Sequence, residues 1–186
     1  MRVDSLEVLA PSVAEQEAAN VVGREIDLVL KDLSGTEQRL SALKGRVVIL
    51  NFWATYCIPC RKEMPDLATI QNEYAALGVQ VIGASTDDAE DRAKVLQFVR
   101  ETKVNFPIWM GATQADMIRF GLGAALPGTV IIAKDGGVAK VISGVVNQAE
   151  LKRQIDVLLA AAEKAAGKAR EQVATQKRSE VSSVPS

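Results

Sequence analysis

Residues 51–65 read NFWATYCIPCRKEMP, and they join the end of an apolar strand to the start of a helix. The only two cysteines of the chain, Cys57 and Cys60, lie at this junction with the spacing C-x-x-C. This spacing places both sulfurs on one helical turn, where they can form a disulfide without any movement of the backbone. A C-x-x-C pair between a strand and a helix is typical of a redox-active dithiol.

Three other roles for the cysteine pair are less consistent with the sequence. A structural zinc site needs four ligands, but the chain has no third cysteine and no histidine. Covalent haem attachment needs a histidine directly after the second cysteine, where this chain has Arg61. A static disulfide that closes so short a loop constrains the unfolded chain little. The pair is therefore predicted to be redox-active, and neither a metal nor a cofactor is expected.

The composition indicates a globular chain without a strong net charge. The chain has 186 residues, of which 48% are hydrophobic, and a net charge of −1, so one domain with a sizeable core is expected. No basic field favours nucleic acid or an anionic membrane surface, and no apolar run is long enough to span a bilayer. Residues 1–7 carry charges where a signal peptide has its apolar segment. The chain as given is therefore expected to lack an export signal, and two cysteines suit a catalytic pair in either compartment.

The chain is predicted to have three parts. Residues 1–22 form an N-terminal arm, either loosely attached or containing a short helix. Residues 23–162 form the compact domain. Large apolar side chains almost disappear in residues 163–186, so the last helix is expected to project into water as far as about Lys177. The tail, residues 178–186, is expected to be disordered.

Within the compact domain, hydrophobic periodicity predicts a strand–helix–strand unit, and later a β-hairpin and a final helix. The central strand is apolar on both faces, which suits the middle of a sheet covered on two sides. A helix between two such strands gives a right-handed crossover with parallel strands. The predicted elements are a hairpin from 26–30 and 37–40, extended segments at 46–52, 79–84, 105–110, 129–133 and 138–142, and helices at 57–77, 88–101, 113–120 and from 147 or 148.

The position of the cysteines at a helix start predicts different roles for them. Cys57 is expected at the N-cap and Cys60 at N3, where unpaired N–H groups favour a thiolate at Cys57. Pro59 has no N–H, so the backbone donor within reach of the Cys57 sulfur should be that of Cys60. Cys57 is therefore the predicted nucleophile and Cys60 the resolving thiol. The intervening Ile58-Pro59 affects the balance between thiolate and disulfide.

Three stretches resemble motifs of the TlpA/ResA-type thioredoxin-like proteins, within the AhpC/TSA–Redoxin superfamily. Residues 50–65 resemble the active-site signature, residues 31–45 the N-terminal hairpin, and residues 125–136 the cis-proline loop with the hairpin after it. The resemblance implies an α/β thioredoxin fold, in which a central mixed β-sheet is flanked by helices and extended by an N-terminal β-hairpin. It also implies a thiol–disulfide oxidoreductase.

The resemblance extends to partners and location. Members of the family usually work outside the cytoplasm on a membrane anchor, and many keep apocytochrome cysteines or other exported thiols reduced. The expected partners are protein disulfide or dithiol substrates and an upstream electron donor, either membrane-bound or soluble. The chain is expected to be a monomer. Because the given sequence shows no export signal, a cytoplasmic location remains an alternative at this point.

The resemblance also assigns supporting residues around the cysteines. Pro127 is expected to follow a cis peptide bond from Leu126 and to face the two sulfurs. A cis-proline turn exposes the backbone of Leu126, which can pair with an extended substrate strand next to Cys57. Trp53 is expected beside the disulfide as an apolar platform, with a core tryptophan as the alternative.

A buried acid is a further expectation from the resemblance. Asn51 stands where thioredoxin itself has such an acid. The TlpA/ResA type often has one after the next strand instead, which indicates Asp88, or else Asp87. A buried carboxyl with a raised pKa at that point could exchange protons with Cys60. The alternative is an ordinary solvated helix start.

Two other functions remain open at the level of sequence. One is thiol peroxidase activity of the peroxiredoxin kind, although Thr55-Tyr56-Cys57 is one residue shorter than the usual T-x-x-C pattern. The other is a thioredoxin-like binding or scaffold module. Copper delivery by a protein of similar fold usually adds a histidine ligand, and the chain has none.

Overall fold

The computed structural model describes residues 12–181, which form a seven-stranded sheet with helices on both sides. The strands are ordered β2-β1-β5-β4-β3-β6-β7 across the sheet. The strands are β1 (Val29–Asp32), β2 (Glu37–Arg39), β3 (Val47–Trp53), β4 (Val79–Ser85), β5 (Ile108–Met110), β6 (Gly128–Ile132) and β7 (Val138–Ser143). The helices are α1 (Val13–Val21), α2 (Ile58–Tyr74), α3 (Arg92–Thr102), α4 (Gln114–Arg119) and α5 (Gln148–Val181).

Strand β3 lies at the centre of the sheet and carries the active-site helix at its carboxyl end. It pairs in parallel with β4 and antiparallel with β6, and all seven of its residues are buried. A strand with apolar side chains on both faces is stable only where both faces are covered. The predicted position of this strand is therefore confirmed.

Successive β3 residues point to opposite faces of the sheet, as strand geometry requires. Val47 and Ile49 pack in one layer with side chains of α2, α3 and α5. Val48, Leu50 and Phe52 pack in the other layer with side chains of α1 and α4. Both cysteines belong to the first layer, so the redox pair lies over one face of a fully covered sheet.

The crossover from β3 through α2 to β4 follows the prediction with a difference at its end. Helix α2 ends at Tyr74, and a 3₁₀ turn continues it over Ala75–Leu77. Gly78 then adopts a left-handed conformation with φ of 83°, which a residue without Cβ reaches at little cost. The next predicted helix, 88–101, is also divided, because a 3₁₀ turn at Ala89–Asp91 precedes α3.

The predicted N-terminal hairpin is confirmed as β1 and β2. Its turn is held by Asp32, whose Oδ1 accepts hydrogen bonds from the N–H groups of Ser34 (2.8 Å) and Thr36 (3.0 Å). Strand β1 then pairs antiparallel with β5, so the hairpin extends the central sheet. This topology confirms the predicted thioredoxin fold with an added hairpin.

The two ends of the described chain differ from each other. Helix α1 packs on the domain through Val21, which is buried in the second layer, while residues 1–11 lie outside the described residues. Helix α5 is anchored by buried Leu151 and Ile155. It continues to Val181, four residues beyond the expected end of the helix, and residues 182–186 lie outside the described residues.

The long C-terminal helix has no apolar face beyond the domain. Residues 163–173 of α5 are exposed throughout, as the loss of large apolar side chains predicts. Within residues 12–181, no helix combines the length and the apolar character that crossing a bilayer requires.

Candidate active site

Cys57 and Cys60 form a disulfide at the N-terminus of α2. The S–S distance is 2.06 Å, and the two Cα atoms are 5.3 Å apart. Cys57 is the N-cap residue with an extended backbone, and its sulfur accepts a hydrogen bond from the N–H of Cys60 at 3.3 Å. Pro59 occupies the position between them that offers no N–H. The predicted placement of the pair at N-cap and N3 is confirmed.

The two cysteines differ in exposure, and this difference separates their chemical roles. Cys57 keeps 9% of its surface exposed, whereas Cys60 is completely buried. Cys57 is therefore the residue of the pair that an incoming disulfide can approach from solvent. The geometry supports Cys57 as nucleophile and Cys60 as resolving thiol.

Exposed side chains on either side of Cys57 form an apolar rim. Tyr56 is 71% exposed and Ile58 is 66% exposed, although apolar side chains of this size are usually more buried. Beside them lies an open cleft of about 320 Å³, where the guanidinium of Arg61 sits 5.3 Å from the ring centre of Phe98. The cleft is lined mostly by polar and charged side chains, so the apolar surface next to Cys57 comes from Tyr56 and Ile58.

The peptide bond between Leu126 and Pro127 is cis, as predicted. The carbonyl of buried Pro127 accepts a hydrogen bond from the N–H of Gly144 at 2.9 Å, and Leu126 packs against the layer that contains both cysteines. In residues 12–181, the backbone of Leu126 has no backbone hydrogen-bond partner. Its donor and acceptor are therefore free to pair with another extended chain.

Trp53 is a core residue. Its side chain is completely buried and packs against Phe98, with 5.1 Å between ring centroids. It belongs to the same layer as the disulfide, so the alternative of a core tryptophan is the correct one. A buried indole supports the disulfide from within and offers no surface to a substrate.

The prediction that Asp88 is a buried acid is wrong. Asp88 is exposed, and its neighbour Asp87 is the buried one, with 2% of its surface accessible. The Asp87 carboxylate accepts hydrogen bonds from the N–H and hydroxyl of Thr55 and from the hydroxyl of Ser85. These contacts tie the loop before Cys57 to the end of β4, so Asp87 has a structural role.

Sequence reasoning missed a second buried acid, Glu63. It lies three residues after Cys60 on α2 and is almost completely buried. Residues three apart share one face of a helix, with about 5–6 Å between their Cβ atoms. The signal that could have found it is this spacing, because Met64 and Leu67 mark the same side of α2 as the buried one.

Burial raises the pKa of the Glu63 carboxyl, and the negative charge of Asp66 raises it further. Two hydrogen bonds oppose this rise. The N–H of Val146 donates to Oε2 at 3.0 Å, and the side-chain amide of Asn51 donates to Oε1 at 2.7 Å. A carboxyl with a raised pKa, one helical turn from the resolving thiol, suits proton exchange.

Asn51 connects Glu63 to the centre of the sheet. Its Nδ2 donates to Glu63 and also to the hydroxyl of Thr129 at 3.0 Å, and all three side chains are buried. Within residues 12–181, the Oδ1 of Asn51 has no hydrogen-bond partner. Buried polar atoms are usually paired, so this orphan acceptor calls for an explanation.

Comparisons with known proteins show the family to which the chain belongs. The profile of the AhpC/TSA family matches residues 22–141. The thiol-disulfide oxidoreductase ResA of Geobacillus thermodenitrificans is 32% identical over 149 residues, which cover 80% of this chain and 84% of that protein.

Two solved structures share the architecture. One is a secreted thiol-disulfide isomerase from Corynebacterium glutamicum, with a TM-score of 0.65, 28% identity, and coverage of 73% of this chain and 85% of that chain. The other is a thiol:disulfide interchange protein of the thioredoxin family from Chlorobium tepidum, with a TM-score of 0.62, 25% identity, and coverage of 74% and 97%.

Proposed function

Because the chain belongs to the AhpC/TSA family and, within it, to the ResA-type thiol–disulfide oxidoreductases, we propose that it reduces disulfides of exported proteins. The observation that carries this proposal is the disulfide at the tip of α2, in which Cys57 is partly exposed and Cys60 is completely buried. Apocytochromes c, whose haem-attachment cysteines must be reduced, are a candidate substrate class. The proposed site of action is outside the cytoplasm, as is usual in the family.

The first step is attack by the Cys57 thiolate on a substrate disulfide. The N–H of Cys60 and the positive end of the α2 dipole stabilise this anion. The substrate segment lies along the backbone of Leu126, between the apolar rim and the cis-proline turn. The attack forms a mixed disulfide between Cys57 and the substrate, and it releases the first substrate thiolate.

The second step is attack by Cys60 on the sulfur of Cys57. Cys60 must lose its proton to react, and it is too buried to give that proton directly to water. Glu63 is the proposed acceptor, because it is the buried carboxyl one helical turn away. The products are the Cys57–Cys60 disulfide, a protonated Glu63 and a second substrate thiolate, which takes a proton from water. Two electrons pass from the protein to the substrate.

A new cycle then requires a reductant. An upstream dithiol, on a membrane protein or a soluble carrier, must attack the same disulfide, and Cys57 is the sulfur that it can reach. The same apolar rim therefore has to accept both the substrate and the electron donor.

The two alternative functions receive less support. A scaffold needs no difference in exposure between two bonded sulfurs. A peroxidase of the peroxiredoxin kind usually carries a T-x-x-C pattern before its reactive cysteine, and Thr55-Tyr56-Cys57 is one residue shorter. Slow consumption of peroxide by a Cys60→Ser variant would agree with the reductase proposal.

The reduction potential of the pair tests the direction of electron flow. After equilibration with glutathione buffers, a potential more reducing than the value of about −180 mV of protein disulfide isomerase supports a reductase. A potential near the value of about −120 mV of DsbA would contradict it. In the same experiments, Cys60→Ser should trap mixed disulfides with substrate proteins, and Cys57→Ser, the matched control, should trap none.

A further inference from the structure

In the side-chain amide of Asn51, the nitrogen forms hydrogen bonds and the oxygen forms none within residues 12–181. Both N–H bonds of Nδ2 are directed to partners, Glu63 Oε1 at 2.7 Å and Thr129 Oγ1 at 3.0 Å. Oδ1 has no partner within residues 12–181, although the residue is completely buried in β3. One strong hydrogen-bond acceptor, the Oδ1 of Asn51, is therefore unpaired at the centre of this network.

The present arrangement fits an ionised Glu63. Each of its oxygens accepts one hydrogen bond, from the Asn51 amide and from the N–H of Val146. A carboxylate is an acceptor only, so both contacts suit the charged form. A protonated Glu63 needs an acceptor for its O–H, and neither of these two donors can supply one as they stand.

Of the two groups within residues 12–181 that donate to Glu63, the side chain of Asn51 also carries an acceptor, whereas the N–H of Val146 does not. Rotation of its amide by half a turn about the Cβ–Cγ bond exchanges the positions of Nδ2 and Oδ1. Oδ1 then faces the carboxylic acid of Glu63 and the hydroxyl of Thr129, and Nδ2 takes the unpaired position that Oδ1 has left. The Thr129 hydroxyl can follow because it is both a donor and an acceptor.

We propose that the Asn51 amide turns over with the protonation state of Glu63 and, with Thr129, keeps that carboxyl hydrogen-bonded in both states. The amide donates to the carboxylate before proton transfer and accepts from the carboxylic acid after it. Asn51 is thus a positioning residue for the proton that leaves Cys60. This inference rests on the proposed function, in which Glu63 takes that proton.

The groups that form the hydrogen-bond network around Glu63 are neutral. Asp66, on the same helix, is the charged group that acts on Glu63, and it opposes ionisation. The contacts from β3, from β6 and from the loop after β7 come from an amide, a hydroxyl and a backbone N–H. Within residues 12–181 no cation pairs with Glu63 to hold it in the charged form, so the carboxyl can gain and lose a proton within this network.

The test follows two resonances of the full chain in its disulfide form, where Cys60 does not titrate. The carboxyl ¹³C of Glu63 and the side-chain ¹⁵N–¹H signals of Asn51 are recorded as the pH is changed. We expect them to change with one shared midpoint. As Glu63 becomes protonated, both Asn51 amide protons should move towards the shifts of an amide without hydrogen bonds.

Controls assign this change to the network. The amide of Asn72, whose contact is with Asn105, should not follow the same midpoint, and Asp66→Asn should preserve the coupled change with a shifted midpoint. Glu63→Gln should abolish it. Asn51 signals that stay constant while Glu63 titrates, or a Glu63 that never titrates while the chain is folded, would overturn the inference.

The same preparation separates this inference from the proposed function. If the chain reduces protein disulfides while the Asn51 signals stay constant, only the amide rotation is wrong. If the Asn51 signals follow Glu63 but Cys60→Ser traps no mixed disulfide, the inference stands as a property of the network and the reductase proposal fails.

Discussion

The contact between Asp87 and the loop before Cys57 predicts an ordered series of stabilities. Asp87→Ala removes the acceptor of three hydrogen bonds, two from Thr55 and one from Ser85. A hydrogen bond to a charged group contributes about 1.5–3 kcal/mol. Thr55 is partly exposed, so water replaces part of what is lost, and the expected cost is about 3 kcal/mol.

The conservative variant should cost much less. In Asp87→Asn, the remaining oxygen can accept from the Thr55 N–H and the Ser85 hydroxyl. The new amide group can donate to the Thr55 hydroxyl, which reverses its role. Only the added strength of a charged acceptor is lost, so we expect a cost of about 1 kcal/mol.

Urea unfolding of the disulfide form measures this series, with the fluorescence of the buried Trp53 and Trp109 as the signal. With a slope of about 2 kcal/mol per M, Asp87→Ala should lower the midpoint by about 1.5 M. Asp88→Ala is the matched control. Because the Asp88 side chain is exposed, its removal should lower the free energy of unfolding by less than about 0.5 kcal/mol. Equal effects of Asp87→Ala and Asp88→Ala would refute the structural role of Asp87.

Three further predictions concern the site. Glu63→Gln should slow the resolving attack by Cys60 about 100-fold, measured by rapid quenching and mass spectrometry of the mixed disulfide, while Asp66→Asn changes it little; equal rates would exclude Glu63 as the proton acceptor. Burial raises the pKa of Glu63 in the folded chain. Between the pKa of a free carboxyl and this raised pKa, the folded chain therefore binds more protons than the unfolded chain. Stability should therefore fall across this window in urea unfolding and stay flatter in Glu63→Gln; a wild-type curve as flat as that of the variant would contradict this assignment. Ile58→Ser should reduce kcat/KM for a protein disulfide about tenfold, since about 1.5 kcal/mol of apolar burial is lost in the complex; an unchanged kcat/KM would mean that the rim does not bind substrate, and Lys62→Ser is the control.

The sequence predicted the parts of the fold that local pattern determines. The apolar run of β3 and the C-x-x-C spacing each correspond to one element and its boundary. The cis-proline at Pro127 followed from the resemblance, since a Leu-Pro pair by itself does not indicate its isomer.

The buried acids depend on contacts that are distant in sequence. Charged side chains are mostly exposed, so Glu63 resembles an ordinary surface residue of α2 until its donors are known. Those donors, Asn51 and Val146, are 12 and 83 residues away. Sequence alone could not choose between Asp87 and Asp88 either, because Thr55 and Ser85 make that choice in three dimensions.

The most direct test of the account is the alkylation of the reduced chain as a function of pH, with each modified cysteine identified by mass spectrometry. The account predicts that iodoacetamide modifies Cys57 first, and that its reactivity rises at a pH below the value of about 8.5 of a free thiol. Cys60 should react only after the chain unfolds. Equal modification of both cysteines in the folded chain, or ionisation of Cys57 no lower than that of a free thiol, would contradict the account.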